Sequence, residues 1–331
     1  MNVPGRGQVV PSAFRAHPLL RAAHLQTILP TLLRPLPTLA LQIERLELDD
    51  GDFVDLGWSG PAEASRLAVL IHGLTGGFES KYLRGTALRL NALGWRTVAL
   101  QLRGAGAEPN RTARYYNHGD TADLRHLWHL LRARHPQLRM ATVGWSLGGN
   151  VLLNALAEEG VAAPLTCAVA ACAPLEIEPC AERLRRGFSR LYQKRLLDAL
   201  KDSLRARHAR VPVPTGVDLA GTLRARDFFE FDDRYTAPLN GYRDACDYYA
   251  RCSGGRRLHA IRVPTQVINA IDDPFMTPEI LPPAHTLPAN VTLELAAHGG
   301  HVGFIGADER WRPTCWLEQR IVEVLERALP A

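Results

Sequence analysis

A serine between glycines is the strongest candidate for covalent chemistry in this chain. The sequence GWSLG (144–148) places Ser146 between an apolar run that predicts a strand (139–145) and a stretch that predicts a helix (147–159). A serine on such a turn exposes its Oγ, and the first N–H groups of the helix point at a developing oxyanion. The pattern predicts that Ser146 is a nucleophile; the alternative is a glycine-rich turn with an incidental serine.

A histidine near the end of the chain has the surroundings of a general base. The apolar run VTLELAA predicts a strand, and the sequence HGGH follows it and ends at His301. The glycine before this histidine supports a tight loop that could deliver the imidazole to the serine. We therefore predict His301 as the general base, and we interpret His298 as a neighbouring polar loop residue.

An acidic pair follows the preceding predicted strand, TQVINAI (265–271). A carboxylate there could accept the hydrogen of the imidazole Nδ1 and hold the ring in the tautomer that accepts a serine proton. Asp272 directly follows the predicted strand, so we prefer it to Asp273 for this role, although the pattern leaves both open. The order serine, acid, histidine along the chain is one that known catalytic triads adopt.

Two backbone N–H groups are candidates for an oxyanion hole. One belongs to Leu147, directly after the serine, and we assign the other to Leu74 in the loop HGLTGG (72–77). His72 in this loop lacks a second histidine or a carboxylate at the spacing of a metal site. We therefore expect chemistry without a metal or a cofactor.

A weaker motif is His118 followed by Asp123, which matches the H-x-x-x-x-D pattern of some acyltransferases. Two fixed positions in six residues arise easily by chance. We interpret the segment as capping of a helix start around Asp120 and Thr121, and we keep acyl transfer as a minor alternative.

The elements that must position these residues alternate along the chain. Short apolar runs separated by helix-length segments predict parallel strands joined by helical crossovers. We predict an α/β fold with a mostly parallel sheet covered by helices on both faces. The predicted organisation is an N-terminal docking segment (1–40), a hydrolase-like core (41–175 and 256–331) and a helical cap inserted into that core (176–255).

The N-terminal segment is rich in proline and leucine, and it lacks the continuous apolar region of a signal peptide. Its leucines predict a short helix that packs on the core, with contact to lipid as the alternative. No run in the sequence is long enough to span a bilayer, and the six cysteines form no C-x-x-C pair. We expect reduced thiols and a soluble, cytoplasmic protein.

The net charge of +5 comes almost wholly from arginine. A basic stretch lies in the predicted cap and consists of Arg183, Arg185, Arg186, Arg190, Lys194 and Arg195. A solvated helix face is the plain interpretation, and peripheral contact with an anionic membrane surface is the alternative. No basic face is interleaved with aromatic residues, so we expect no nucleic-acid partner. The oligomeric state stays open.

The chain resembles the YheT-like branch of the α/β hydrolases, which is related to mammalian abhydrolase-domain proteins and plant embryogenesis-associated proteins. The resemblance runs from about His17 to the C-terminus. The motifs that carry it are HPLLRAAHLQTILP, HGLTGGFESKYLRG, RGAGAEPNRTARYYNHGDTADL, GWSLGGN, FDDRYTAPLNGYRDACDYY, NAIDDPF and HGGHVGF.

This resemblance implies a carboxylesterase or a lipase-like enzyme that acts on short-chain or glycerol esters. It also implies a triad of Ser146, Asp272 and His301, and a small-molecule ester as the partner. The alternatives are an acyltransferase or a thioesterase with the same triad, or a scaffold of this fold without activity. A dehalogenase is disfavoured because it would carry a carboxylate at the position of Ser146.

Overall fold

The computed structural model describes residues 7–331. In that range the strands are β1 (Gln8–Pro11), β2 (Gln42–Glu47), β3 (Phe53–Ser59), β4 (Arg66–Ile71), β5 (Arg96–Gln101), β6 (Arg139–Trp145), β7 (Cys167–Ala171), β8 (Thr265–Ala270), β9 (Val291–Ala296), β10 (Ile305–Ala307) and β11 (Pro313–Cys315). The α-helices are α1 (Ala23–Leu32), α2 (Lys81–Ala92), α3 (Ala122–Arg134), α4 (Leu147–Glu159), α5 (Ile177–Leu184), α6 (Ser189–His208), α7 (Leu219–Arg224), α8 (Phe228–Phe231), α9 (Ala237–Leu239), α10 (Ala245–Cys252) and α11 (Trp316–Ala328). A π-helical turn (Asp232–Thr236) joins α8 to α9.

The sheet of the described residues has nine strands in the order β1-β9-β8-β7-β6-β4-β5-β3-β2. The pairs from β1 to β5 in this order are parallel. By contrast, β2 and β3 form an antiparallel hairpin, and β3 pairs antiparallel with β5. The predicted α/β class with a mostly parallel sheet is confirmed.

Strand β4 illustrates how the sheet forms the centre of the core. All six of its residues are buried. Leu67, Val69 and Ile71 pack in one apolar layer, whereas Ala68 and Leu70 pack in the other. Successive side chains of a strand point to opposite faces, so a strand buried on both faces is apolar except where a polar side chain has a partner, as Arg66 has in Glu326 (2.8 Å). This two-sided cover fixes the carboxyl ends of the parallel strands, and the candidate site residues follow those ends.

Helices α5 to α10 lie between β7 and β8 in the chain, within the predicted insertion. Several leucines of this segment are buried, among them Leu184, Leu197 and Leu204. Two apolar residues of the same segment are not buried: Phe188 and Leu191 are 46% and 57% exposed. The bounds predicted for the N-terminal segment, the core and the cap remain predictions.

The N-terminal segment differs from its sequence-based description in two respects. It contributes a strand, β1, which pairs in parallel with β9 and places Gln8 opposite Thr292. Helix α1 buries the polar residues Gln26 and Thr27, whereas Leu25 and Leu32 are exposed and Leu29 is half-buried. Of the helices in residues 7–331, none combines the length and the apolar character needed to cross a bilayer.

Candidate active site

Ser146 lies on a sharp turn between strand β6 and helix α4. Its backbone has φ 53° and ψ −121°, a conformation that a non-glycine residue adopts only under strain. The N–H of Ser146 donates to the carbonyl of Ala171 on the neighbouring strand (2.8 Å), which helps to hold the turn. A Cβ on Gly144 would lie 2.3 Å from the carbonyl oxygen of Gly148, so the backbone can close this tightly only with glycine.

His301 reaches Ser146 from the loop after strand β9. Its Nε2 lies 2.9 Å from the Oγ of Ser146, and its Nδ1 lies 2.8 Å from Oδ2 of Asp273. With the hydrogen on Nδ1, the ring donates to the carboxylate and accepts from the serine hydroxyl. The ring of Phe275 stacks on the imidazole with centroids 4.0 Å apart and planes 5° apart, which restricts rotation of the imidazole. The predicted pairing of serine and histidine is therefore present as a direct hydrogen bond.

The preference for Asp272 as the partner of His301 is wrong. Asp272 instead accepts from Nδ1 of His298 at 3.3 Å and from the N–H of Gly300 at 3.1 Å. Its side chain is 22% exposed, whereas the side chain of Asp273 is fully buried. The two adjacent carboxylates thus hold two different histidines, and only Asp273 holds the one beside the serine.

The physical reason lies in where strand β8 ends. The strand stops at Ala270, one residue earlier than the apolar run TQVINAI suggests, and a turn follows in which the N–H of Asp273 donates to the carbonyl of Ala270 (3.3 Å). This turn directs Asp273 inward, where its Oδ1 also accepts from the N–H of Phe275 at 2.8 Å. Partial burial raises the pKa of Asp272, while the histidine it holds, His298, is 39% exposed and has no contact with the serine.

Helix α1 supports the histidine loop, a role that sequence reasoning missed. The hydroxyl of Thr27 accepts from the N–H of His301 (2.9 Å) and donates to the carbonyl of Ala23 (2.8 Å). The buried amide of Gln26 accepts from the N–H of Ile305 and donates to its carbonyl (3.1 Å). The bonds to His301 and Ile305 join residues more than 270 positions apart, and the only signal for them in the sequence was two polar residues in a leucine-rich helix.

The two predicted oxyanion donors, Leu74 and Leu147, line a cavity that Ser146 also lines. Leu147 is the first residue of α4, so its N–H has no acceptor within the helix. In the other loop, the N–H of Gly73 donates to Tyr82 and that of Thr75 donates to Tyr116, both at 2.9 Å. Within the part of the chain that is described, the N–H of Leu74 between them donates to no protein group. Both assigned donors are thus available to a ligand atom.

His72, at the start of the same loop, is a structural residue. It is fully buried, its Nδ1 bonds to the carbonyl of Gly73 (2.8 Å), and its Nε2 accepts from the N–H of Leu102 (3.2 Å). Burial lowers the pKa of His72 to about 4, so the ring is neutral at pH 7. Both ring nitrogens are therefore occupied by backbone groups.

The structure gives His118 and Asp123 separate partners. Asp123 forms a bidentate pair with the buried Arg103 at 2.6 and 2.8 Å. His118 lines the cavity beside Ser146, and its buried Nδ1 has no hydrogen-bond partner among the described residues. The expected capping is also absent there, since Thr121 precedes α3 but bonds through its hydroxyl to Glu158. The motif therefore does not form an acyltransferase pair.

A cavity of about 590 Å³ adjoins Ser146 and His301. The cap supplies much of its apolar wall through Ile177, Leu184, Leu196, Leu200, Phe228 and Phe231. A pocket of this size, apolar and open beside a serine, suits an acyl chain whose carbonyl reaches the serine hydroxyl.

One buried carboxylate, that of Asp232, interrupts the apolar wall. It accepts from the hydroxyl groups of Thr236 (2.6 Å) and Tyr249 (2.7 Å). Burial raises the pKa of Asp232 to about 6, against an ordinary value of 3.8. No basic residue pairs with it among the described residues, so its charge at neutral pH is stabilised by hydroxyl groups alone.

Comparison with known proteins agrees with this geometry. Residues 68–308 match the family described as the alpha/beta hydrolase fold. The chain belongs to the α/β hydrolase family. It is 42% identical over 311 residues to YheT of Escherichia coli (strain K12), named as a candidate esterase, and the match covers 93% of this chain and 91% of that protein. The resemblance to the YheT-like branch is thus confirmed.

One relative and one solved structure give two further similarities, the first in sequence and the second in fold. The chain is 30% identical over 318 residues to the mouse phospholipase ABHD3, with 90% of this chain and 75% of that protein covered. Its fold is similar to that of the Pyrococcus furiosus esterase Pf2001, with a TM-score of 0.56 and 17% identity, covering 87% of this chain and 93% of that structure. The chain is therefore a hydrolase of the esterase and lipase type.

The six cysteines of the chain are all unbridged.

Proposed function

We propose that this α/β hydrolase cleaves carboxylic esters through an acyl-enzyme on Ser146. The observation that carries the proposal is the continuous line of hydrogen bonds from Ser146 through His301 to Asp273. Such a line lets the imidazole take the serine proton while the buried carboxylate stabilises the imidazolium that forms. The apolar cavity beside the serine supports an ester with an apolar acyl chain as the substrate.

The proposed reaction has two halves. In the first, the Oγ of Ser146 attacks the ester carbonyl, His301 takes the hydroxyl proton, and the oxyanion accepts hydrogen bonds from the N–H groups of Leu74 and Leu147. His301 then protonates the leaving alkoxide, and the acyl group stays on the serine. In the second half, His301 removes a proton from water, which attacks the acyl-enzyme. The imidazolium then returns that proton to the Oγ of Ser146 as the acid is released.

The named activities of the relatives support this substrate class without fixing its members. YheT is named as a candidate esterase and ABHD3 as a phospholipase, and a phospholipid carries carboxylic ester bonds to its acyl chains. We propose esters of short-chain acids or of glycerol as substrates, in a role in lipid metabolism, as the resemblance implied. Transfer of the acyl group to an alcohol or release from a thioester stays an alternative prediction for the same acyl-enzyme.

The test compares the wild-type chain with Ser146→Ala. We expect a fluorophosphonate to label the wild type covalently at Ser146, and p-nitrophenyl esters to be hydrolysed. The alanine variant should resist labelling and lose at least about 10⁴-fold in kcat, since removal of a triad nucleophile costs at least that much. A variant that retains full esterase activity would refute the assignment, and a wild type that resists the probe would indicate a scaffold without activity.

A further inference from the structure

Helix α1 exposes two of its three leucines to solvent, contrary to the usual arrangement of a helix on a soluble core. Its two buried residues are Gln26 and Thr27, whereas Leu25 and Leu32 are 39% and 60% exposed. Leu33, directly after the helix, is 73% exposed. Polar groups hold α1 against the loop that contains His301. The exposed leucines of the helix are therefore free to contact another molecule or a membrane.

Helix α6 of the cap continues this apolar face. Phe188 and Leu191, 46% and 57% exposed, lie at and just inside the start of that helix. His24 of α1 joins the two helices, because its ring lies 4.5 Å from the ring of Phe188 and its Nδ1 bonds to the hydroxyl of Tyr192 at 2.9 Å. We call the combined set the mouth surface, consisting of Leu25, Leu32, Leu33, Phe188 and Leu191.

The mouth surface adjoins the opening of the cavity that contains Ser146. The exposed residues that line this cavity are Thr31, Thr75, Glu79 and Arg195. Thr31 belongs to α1 and Arg195 to α6, while Thr75 lies in the loop 72–77 and Glu79 in the segment before α2. The cavity therefore opens between these four elements. Thr31 directly precedes Leu32, and Arg195 follows Leu191 by one helical turn. An apolar surface therefore borders the entrance through which a substrate reaches the serine.

The unpaired charge beside the mouth surface is positive, since the exposed carboxylate of Glu79 at the cavity rim pairs with Arg84. Residues 7–43 include no aspartate or glutamate. In the cap, Arg186 pairs with Glu182 and Lys194 with Asp198, so these two cations are compensated. Arg190 and Arg195, both exposed, pair with no carboxylate within residues 7–331. Only part of the basic stretch of the cap is therefore free to attract an anionic surface. That part includes Arg195, which lies at the rim of the cavity.

We propose that the mouth surface binds the surface of an anionic phospholipid bilayer, so that the ester enters the cavity directly from the lipid. Exposed leucine and phenylalanine side chains insert at the boundary of headgroups and acyl chains, and arginines beside them attract anionic headgroups. The purpose of this contact rests on the proposed function, but the contact itself is measurable without catalysis.

The experiment measures co-sedimentation with vesicles of phosphatidylcholine alone and of phosphatidylcholine mixed with phosphatidylglycerol. The full chain carrying Ser146→Ala serves as the parent, so that no lipid is hydrolysed during the measurement. The test variant adds Leu32→Ser and Leu33→Ser. The matched control adds Leu93→Ser and Val161→Ser, which are 46% and 89% exposed and follow α2 and α4 toward the amino ends of the strands, away from the cavity.

We expect the parent to bind the anionic vesicles at least about tenfold more tightly than the neutral ones, as two or more arginines near a charged surface predict. The test variant should lose about tenfold in binding to the anionic vesicles, because two exposed leucines no longer insert. The matched control should bind like the parent. Thermal unfolding by circular dichroism checks that all three proteins are folded to the same extent.

Three outcomes would overturn the proposal: no binding of the parent to anionic vesicles, equal binding by the test variant, or equal loss in the matched control. A parent that is dimeric by light scattering, together with a monomeric test variant, would assign the mouth surface to a second copy of this chain and would also overturn it. Fluorophosphonate labelling of the chain with Ser146 intact is separate, so a failure of the proposed function is distinguishable from a failure of lipid binding.

Discussion

The two adjacent aspartates after strand β8 offer a matched pair of variants for testing the site. We expect Asp273→Asn to lower kcat for ester hydrolysis by about 10⁴-fold, or about 5.5 kcal/mol in activation free energy. We expect Asp272→Asn to lower kcat by less than about tenfold, since its charge-assisted bonds go to His298 and Gly300 and not to the imidazole that contacts the serine.

The larger loss follows from the contacts of the buried carboxylate. An asparagine at position 273 can keep the hydrogen bond that Oδ1 accepts from the N–H of Phe275 (2.8 Å). Its amide NH₂ then faces Nδ1 of His301, where the carboxylate oxygen now lies 2.8 Å away. The amide donates, so Nδ1 must accept and the ring hydrogen moves to Nε2. A ring protonated on Nε2 cannot take the proton of Ser146.

The assay is steady-state hydrolysis of a p-nitrophenyl ester by wild type and by both asparagine variants. Circular dichroism and thermal unfolding of each variant separate a loss of folding from a loss of chemistry. Equal losses in the two variants, or a larger loss in Asp272→Asn, would refute the assignment of Asp273 and restore the preference that the sequence suggested.

Three further predictions, two of them with a matched control variant, test other parts of the structure. Thr27→Val should lower kcat by about tenfold while Thr27→Ser retains it, because only the hydroxyl holds the N–H of His301 and small displacements of a catalytic group are costly; a fully active valine variant would contradict this. Asp232→Asn should gain stability over the wild type as pH rises from 4 to 7, by up to about 3 kcal/mol in urea unfolding. The sign follows because the raised pKa of Asp232, about 6 against 3.8, means that the native state loses stability as this carboxyl ionises; a difference independent of pH would contradict it. Gly144→Ala should lower both Tm and activity because its Cβ would meet backbone at 2.3 Å, whereas Gly106→Ala, with its nearest neighbour at 3.7 Å, should change neither.

The sequence predicted those parts of the site that local patterns determine. Ser146 directly follows strand β6 and His301 lies in the loop after β9, and each has glycines within two residues that permit a tight turn. The acid was harder, because the choice between Asp272 and Asp273 depends on whether strand β8 includes one more residue. Strand ends are set by hydrogen bonds to neighbouring strands, and these bonds are not visible in the apolar run itself.

The contacts between distant segments could not be predicted from local sequence patterns. Periodicity predicts which face of a helix is apolar, and the usual inference is that this face is buried. In α1 the inference fails, because Gln26 and Thr27 bond to the backbone around His301 and Ile305 and so keep the polar side against the core. A backbone group in the interior needs a partner, and a well-placed hydroxyl or amide can satisfy it where a leucine cannot.

This arrangement connects three properties of the α/β hydrolase that a sequence analysis treats separately. The same helix holds the backbone N–H of His301, the proposed general base, through Thr27, lines the cavity through Ile28 and Thr31, and carries exposed leucines at the mouth. A force that displaces the leucine face of α1 therefore acts on a helix bonded directly to the backbone of His301. The proposed contact with a lipid surface and the position of the proposed base would then be linked through one helix, since the hydroxyl of Thr27 and the exposed Leu25 and Leu32 all belong to it.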